Sequence, residues 1–283
     1  MNNIKLANLL SLETIEEGLY RGESWDLGFR ALFGGQVLGQ ALSAAQESLD
    51  DERVAHSFHS YFLLPGDATK PVVYDVEKVR DGRSFSTRRV KAIQNGNVIF
   101  YMTASFQIPQ DGLEHQQADM PDVPPPEQVQ PDIKFYDDIL DTMSERMKKS
   151  LSYHRPVDIR TVQDINPLKP SKQPARRFIW MKAEEVLGAS VNLNQSALAY
   201  ASDYHFLATS LQPHGLSLMN RDLRIATIDH AMWFHHPFRF DDWLLYCTES
   251  PFSGGSRGLV RGQFFDRSGR LVASTMQEGL MRI

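Results

Sequence analysis

An acid, a hydroxyl and an amide, Asp203, Thr227 and Gln277, stand on three separated segments of the chain. Asp203 follows Ser196-Ala197-Leu198-Ala199-Tyr200-Ala201-Ser202, a helical stretch of apolar and small residues that predicts at least partial burial of the acid. A buried carboxylate needs hydrogen-bond donors if it is to stay charged. Thr227 and Gln277 are residue types that supply such donors, or that hold a water beside the acid. The same spacing also fits a helix-end aspartate with only a local backbone contact.

An internal duplication singles out these three. His59-Ser60-Tyr61-Phe62-Leu63 leads through Ser84, Arg89 and the Asn95-Gly96 turn to Ala104-Ser105-Phe106-Gln107. His230-Ala231-Met232-Trp233-Phe234 leads similarly through Ser256, Arg261 and the Ser268-Gly269 turn to Ser274-Thr275-Met276-Gln277. The Ser-to-Arg spacing is 5 in both, and the Arg-to-Gln spacing is 18 and then 16. A hairpin trimmed by two residues would keep every side chain on its face. Pairing Gln36 with Gln195, His59 with His230 and Gln107 with Gln277 sets Ala44 opposite Asp203 and His56 opposite Thr227. On this alignment only the second copy holds the acid and the hydroxyl.

The elements that must position these groups follow from periodicity. Leu12–Leu19 predicts a short helix, and Phe33-Gly34-Gly35-Gln36 opens a longer one with an apolar stripe broken by Gln36, Gln40 and Gln46. Strands are expected at Ser57–Leu63, Val72–Val79, Ser84–Gln94 and Val98–Gln107, with Asn95-Gly96 as a hairpin turn. Residues 109–131 hold six prolines and several acids and read as a linker, followed by a helix over Ile133–Leu151. The second copy supplies a strand at Arg177–Lys182, a helix at Val191–Tyr204, and strands at Ile225–Phe234, Trp243–Glu249, Gly258–Phe265 and Leu271–Arg282. No βαβ alternation is present, so the fold class is α+β, one central helix with an antiparallel sheet in each copy. The expected organisation is a first repeat over 1–108, a linker and connecting helix over 109–154, and a second repeat over 155–283.

Composition narrows the function classes. Hydrophobic residues make up 42% and charged residues 23%, which suits a sizeable core. The net charge of −5 gives no nucleic-acid footprint, so an anionic ligand would need a local cluster of Arg or Lys. One cysteine, Cys247, rules out an internal disulfide. No apolar run approaches the ~20 residues of a membrane span. Leu6–Leu12 does not read as a signal peptide, Met281-Arg282-Ile283 is not a peroxisomal address, and a cytoplasmic location is expected.

Several motifs promise more than they deliver. Gly254-Gly255-Ser256-Arg257-Gly258 fits the nucleophile elbow of α/β-hydrolases, but a strand rather than a helix follows, and all nine histidines precede Ser256. Cys247 has no neighbouring base and reads as a packed thiol. His230, His235 and His236 crowd one strand without a Cys or acid to complete a ligand set, so a hydrogen-bonded structural role is expected and no metal. No glycine-rich phosphate loop or dinucleotide fingerprint occurs, and no cofactor is expected.

The chain resembles the acyl-CoA thioesterase II family over nearly its whole length, the linker and following helix excepted. The resemblance lies in Ile15-Glu16-Glu17-Gly18-Leu19-Tyr20-Arg21-Gly22, in Phe33-Gly34-Gly35-Gln36-Val37-Leu38-Gly39-Gln40-Ala41 and in His56-Ser57-Phe58-His59-Ser60-Tyr61-Phe62. It extends to Leu63-Leu64-Pro65-Gly66-Asp67, Arg80-Asp81-Gly82-Arg83-Ser84-Phe85, Ala201-Ser202-Asp203, Ile228-Asp229-His230-Ala231-Met232-Trp233-Phe234-His235 and Gln277-Glu278-Gly279. It implies a double hotdog fold, each half wrapping an antiparallel sheet around a long helix, and hydrolysis of fatty acyl-CoA thioesters. It also implies Asp203, Thr227 and Gln277 as the catalytic set, the residues that the comparison of copies isolates. Leu64 stands where the family commonly has Arg, which leaves that position's part in holding CoA open.

On that reading Asp203 is the general base for a water that Thr227 and Gln277 orient, with backbone near Gly34 and Gly35 as candidate oxyanion donors. Arg83, Arg88, Arg89 and Arg257, with Arg261, are the candidates for the CoA phosphates, because a guanidinium fork matches phosphate. The expected partners are an acyl-CoA substrate and further copies of the chain, as a dimer or tetramer. A hotdog-fold hydratase would instead need an Asp-His pair, which Asp203-Tyr204-His205 superficially supplies. From another class, the chain could be an acyl-CoA sensor or an assembly scaffold that does not hydrolyse its ligand.

Overall fold

In the computed structural model, residues 5–29, 31–49, 52–137, 156–220 and 222–283 are described. Five helices occur among them: α1 Leu6–Leu10, α2 Gly34–Glu47, α3 Asp132–Asp137, α4 Val191–Ser202 and α5 Phe206–Leu211. The first-half strands are β1 Glu13–Glu16, β2 Leu19–Gly22, β3 Val54–Phe62, β4 Val72–Asp81, β5 Phe85–Gln94 and β6 Asn97–Gln107. The second half adds β7 Val157–Thr161, β8 Arg176–Ala183, β9 Arg224–Thr227, β10 Asp229–Phe234, β11 Leu244–Gly254, β12 Arg257–Asp266 and β13 Leu271–Arg282. The helix expected over Ile133–Leu151 falls mostly outside the described residues.

All 13 strands join one antiparallel sheet in the order β1-β2-β4-β5-β6-β3-β10-β13-β12-β11-β8-β7, with β9 pairing to β13. The halves meet where β3 pairs with β10, Ala231 lying opposite His59. The Ser60 hydroxyl donates to the His230 carbonyl at 2.7 Å across that seam. Each half therefore curls its strands around one long helix, the double hotdog arrangement.

Helix α2 is buried from Gly35 through Gln46. Its glutamines are buried because each finds partners on neighbouring elements. Gln40 donates to the carbonyls of Leu9 (2.8 Å) and Glu23 (2.9 Å) and accepts from the Tyr74 hydroxyl at 2.7 Å. Gln46 donates to Gln195 at 3.3 Å and accepts from Ser196 at 2.9 Å, which ties α2 to α4. Gln195 in turn donates to the Ala55 carbonyl at 2.8 Å.

The structure corrects three expectations. Leu12–Leu19 is not a helix; the helix is α1, just before it, and Glu13–Glu16 and Leu19–Gly22 form a hairpin around Gly18, whose φ of 74° suits glycine. The strand expected at Ile225–Phe234 is interrupted at Ile228, which leaves Thr227 at the end of its own short strand. The proline-rich segment is a strap and not a free tether. Ala118, Met120, Val123 and Val129 pack on a small core of Trp180, Trp243, Leu245 and Phe265, and the Trp180 indole donates to the Pro124 carbonyl at 2.9 Å.

The close approach of α2 to α4 depends on Gly39. A Cβ there would stand 2.7 Å from Leu10 Cδ2 and 2.9 Å from the Ser196 carbonyl. In an open helix Gly→Ala stabilises by about 1 kcal/mol. Here overpacking costs roughly 1–3 kcal/mol, so Gly39→Ala should lower the melting temperature. An unchanged or higher value would show that the two helices can separate without loss.

Candidate active site

Asp203 is the first residue past the end of α4, in its C-cap position. Gln277 lies inside the sheet on β13, fully buried, and Thr227 ends β9 opposite Gly279. The Gln277 amide nitrogen donates to Asp203 Oδ1 at 3.1 Å and to Thr227 Oγ1 at 2.7 Å. The Thr227 hydroxyl points back at Asp203 Oδ1 across 3.4 Å. Three chain segments thus converge on one carboxylate.

A fourth segment comes from the other half. Helix α2 begins at Gly34 after Phe33, which offers no side-chain cap. The Gly35 backbone N–H donates to the Asp203 carboxylate instead. A Cβ on Gly34 would lie 2.6 Å from Asp203 Oδ2, and one on Gly35 would lie 2.1 Å from the Tyr200 carbonyl. The paired glycines therefore let the start of α2 close on the acid, where its N–H groups and dipole favour negative charge.

Burial nevertheless dominates. It pushes the Asp203 carboxyl up to about 7, against the lowering effects of its bonds to Gln277, Gly35 and Thr227. An acid poised there changes charge near neutrality, which is what a general base at neutral pH requires. Aromatic rings wall the same place. Phe33 packs on Tyr204 at 4.5 Å and on Tyr200 at 5.2 Å, Phe29 stacks on Phe33 at 5.5 Å, and Phe62 lies beside Gly34.

Sheet register revises how the copies correspond. Phe58, Ser60, His230 and Met232 face inward, whereas His59 faces out, so His59 and His230 are not equivalents. Arg89 and Arg261 do occupy matching faces of β5 and β12. From them, Arg88 opposite Ala104 corresponds to Val260 opposite Gln277. The counterpart of Gln277 is thus Ala104, and Gln107 points to the other face. Likewise Ala55 opposite Phe106 matches Thr227 opposite Gly279, replacing His56. At the helix ends, Asp203 matches the α2 cap Ser48 and not Ala44, which lies inside the helix. The first copy therefore offers serine and two alanines, and the asymmetry is sharper than the sequence alignment makes it.

The remaining candidates fall elsewhere. Gly34 and Gly35 open α2 beside Asp203, with the Gly35 backbone N–H turned toward the carboxylate. Arg88 is buried and ion-paired with Asp81 at 2.8 Å, and it donates to Ser48 Oγ at 2.8 Å. Arg89 pairs with Glu77, Arg257 with Glu278 and Arg261 with Glu249, each arginine on an exposed strand position. Arg83 is exposed, its carbonyl accepting from Arg53. Leu64 is exposed, in the turn after β3.

Ser256 sits at φ 60° in the tight turn joining β11 and β12, so its motif is hairpin chemistry and no elbow. Burial pushes the Cys247 thiol up to about 12, which leaves it without nucleophilic character. The His205 ring lies against Asp132 (3.5 Å) and Arg177 (3.3 Å), not Asp203. The hydratase-like pair is therefore not assembled. His230, expected from the sequence in a hydrogen-bonded structural role, faces inward and contacts Ser202 at 3.0 Å; its place beside the site is what the period-2 alternation of β10 could have indicated.

Comparison with known proteins gives a consistent family. The acyl-CoA thioesterase model matches residues 147–280, and that of the acyl-CoA thioesterase N-terminal domain matches residues 22–107. Acyl-CoA thioesterase 2 of Haemophilus influenzae is 44% identical over 282 residues, covering 100% of this chain and 98% of that protein. Acyl-coenzyme A thioesterase 8 of Homo sapiens is 38% identical, covering 100% and 90%. The crystal structure of acyl-CoA thioesterase II TesB2 from Mycobacterium marinum superposes with a TM-score of 0.79 at 39% identity over 98% of both chains. A hot dog fold protein from Alicyclobacillus acidocaldarius, 20% identical with a TM-score of 0.80, shares the fold.

Removing Arg88 should test whether it is structural. Arg88→Met strips charged hydrogen bonds from buried Ser48 and should cost roughly 1.5–3 kcal/mol in urea unfolding. Arg89→Met breaks an exposed pair and should stay within about 1 kcal/mol of the parent. Equal effects would contradict a structural role specific to Arg88.

Proposed function

The chain belongs to the acyl-CoA thioesterase family, a hydrolase of acyl-CoA thioesters, and from that premise we propose that Asp203 activates the attacking water directly. The observation that carries this reading is the single carboxylate, raised to about 7, on which Gln277, Thr227 and the start of α2 converge. The proposed substrates are fatty acyl-CoAs, because Phe29, Phe33, Phe62 and Tyr204 gather beside that carboxylate as apolar surface.

A water held between Asp203 and the Thr227–Gln277 pair has its lone pair free to meet the thioester carbonyl carbon. Asp203 takes one of its protons as the carbon–oxygen bond forms, leaving a tetrahedral oxyanion. Collapse of that intermediate breaks the carbon–sulfur bond and expels CoA as thiolate. A thiol has an ordinary pKa near ~8.5, above that of Asp203, so the protonated acid can return the proton to sulfur. The products are a free carboxylic acid and CoA, and the base is reset. No covalent acyl-enzyme is needed, in keeping with the setting of Ser256 and Cys247. A sensor or scaffold would have no use for a buried acid at this cost, since burial of a charge is unfavourable unless function or pairing retains it.

Asp203→Asn keeps the shape but cannot take the proton, and should lower kcat by about 10²–10⁴. Thr227→Ala and Gln277→Ala should lose less, and Gln107→Ala, on the opposite face of β6, should lose almost nothing. Only the carboxylate form of Asp203 is active. kcat/KM should therefore fall about tenfold per pH unit below a midpoint near 7 and level off above it. Steady-state release of free CoA thiol measures both. A flat profile from pH 5 to 8, or an active Asp203→Asn, would rule out this base.

A further inference from the structure

His230 is a fully buried imidazole that the proposed chemistry does not use. It stands on β10 between the rings of Phe58 and Phe206, at centroid distances of 6.0 Å and 5.6 Å. Its Nε2 lies 3.0 Å from Ser202 Oγ, on the residue just before Asp203. Ala231 pairs with Met276 in the sheet, so the next residues along, His230 and Gln277, are neighbours. Gln277 is also the polar group that partly offsets the effect of burial on the His230 ring.

Two buried polar atoms near this contact lack a partner of good geometry, His230 Nδ1 and Gln277 Oε1. The other end of the Gln277 amide is fixed, because Asp203 Oδ1 only accepts and so requires the NH2 group. Gln277 Oε1 must then point away from Asp203. Two proton arrangements remain. If Ser202 gives its proton to the Ala199 carbonyl (2.9 Å), His230 must donate from Nε2, and a bare Nδ1 lone pair faces the Gln277 oxygen. If Ser202 gives its proton to Nε2, then Nδ1 carries the hydrogen and donates to Gln277 Oε1. The second arrangement leaves neither atom unsatisfied, and each buried orphan costs roughly 1–3 kcal/mol.

We propose that His230 is a positioning residue, held by Ser202 as its Nδ1–H tautomer so that it fixes the Gln277 amide toward Asp203 and Thr227. This rests on the reading of Asp203 as the base. The device matters most when Asp203 holds the proton. A neutral carboxyl no longer dictates which end of the Gln277 amide faces it, and the amide could turn over and present its oxygen. The Nδ1–H donor prevents that turn, so the site is ready for the next water. Burial holds the ring neutral, down to about 3, so a single ring proton is available and its place is decisive.

Nitrogen NMR on wild-type protein labelled at histidine reads the tautomer without any variant. A protonated Nδ1 and bare Nε2 on His230 are expected, and the reverse would overturn the proposal. In kinetics, His230→Phe should lower kcat by no more than Gln277→Ala does, with KM nearly unchanged, because the substrate does not touch it. His230→Asn, which returns an N–H near the Nδ1 position, should recover part of the loss. In a Gln277→Ala background His230→Phe should cost nothing more. Multiplying effects, or His230→Asn as poor as His230→Phe at equal melting temperature, would also overturn it. Failure of the base reading looks different: Asp203→Asn would stay active whatever tautomer His230 adopts.

Discussion

Withdrawing a carboxylate largely from water at the meeting point of two helices is costly, and much of this molecule is arranged around meeting that cost at Asp203. The acid ends α4 of the second half and accepts a hydrogen bond from the first turn of α2 in the first half. Neither half supplies both parts. The contact requires the helices to approach closely, which is why Gly34, Gly35 and Gly39 have no room for a side chain. It also requires the buried glutamines of α2 and α4 to be satisfied across the helix pair, as Gln46, Gln195 and Ser196 are.

The continuous sheet makes the two halves one unit. The β3–β10 seam sets the angle between the halves, and the inward faces of β10 and β13 deliver His230 and Gln277 beneath the acid. In the first half the corresponding positions are Ala55, Ala104 and Ser48, and buried Arg88 donates to Ser48. Among the described residues the acid, hydroxyl and amide thus converge in the second copy only, with the start of α2 from the first copy closing against them.

Much of this was legible in the sequence. The Asn95-Gly96 turn, the alternating strands and the glutamine-broken stripe of α2 all reflect local rules, and they form as expected with small shifts at their ends. Asp203, Thr227 and Gln277 were visible as types, and the structure brings them within hydrogen-bonding reach. What failed was register. Matching Gln107 to Gln277 by identity ignored that one faces out and the other in, which only the ladder reveals. Leu12–Leu19 failed because its strands gain their apolar contacts and partners from β4 and α2, beyond any local window. The strap over 109–131 read as a linker because proline hides packing that is decided by Trp180 and Trp243, far along the chain.

The central claim is that Asp203 is held by its surroundings as an acid poised near neutrality. Carbon NMR of protein labelled at the aspartate side-chain carboxyl, with Asp203→Asn identifying the resonance, titrates that one group directly. A midpoint near 7 is expected. A midpoint near the ordinary aspartate value of 3.8 would contradict it, because burial at the helix junction would then not be setting the charge of the base.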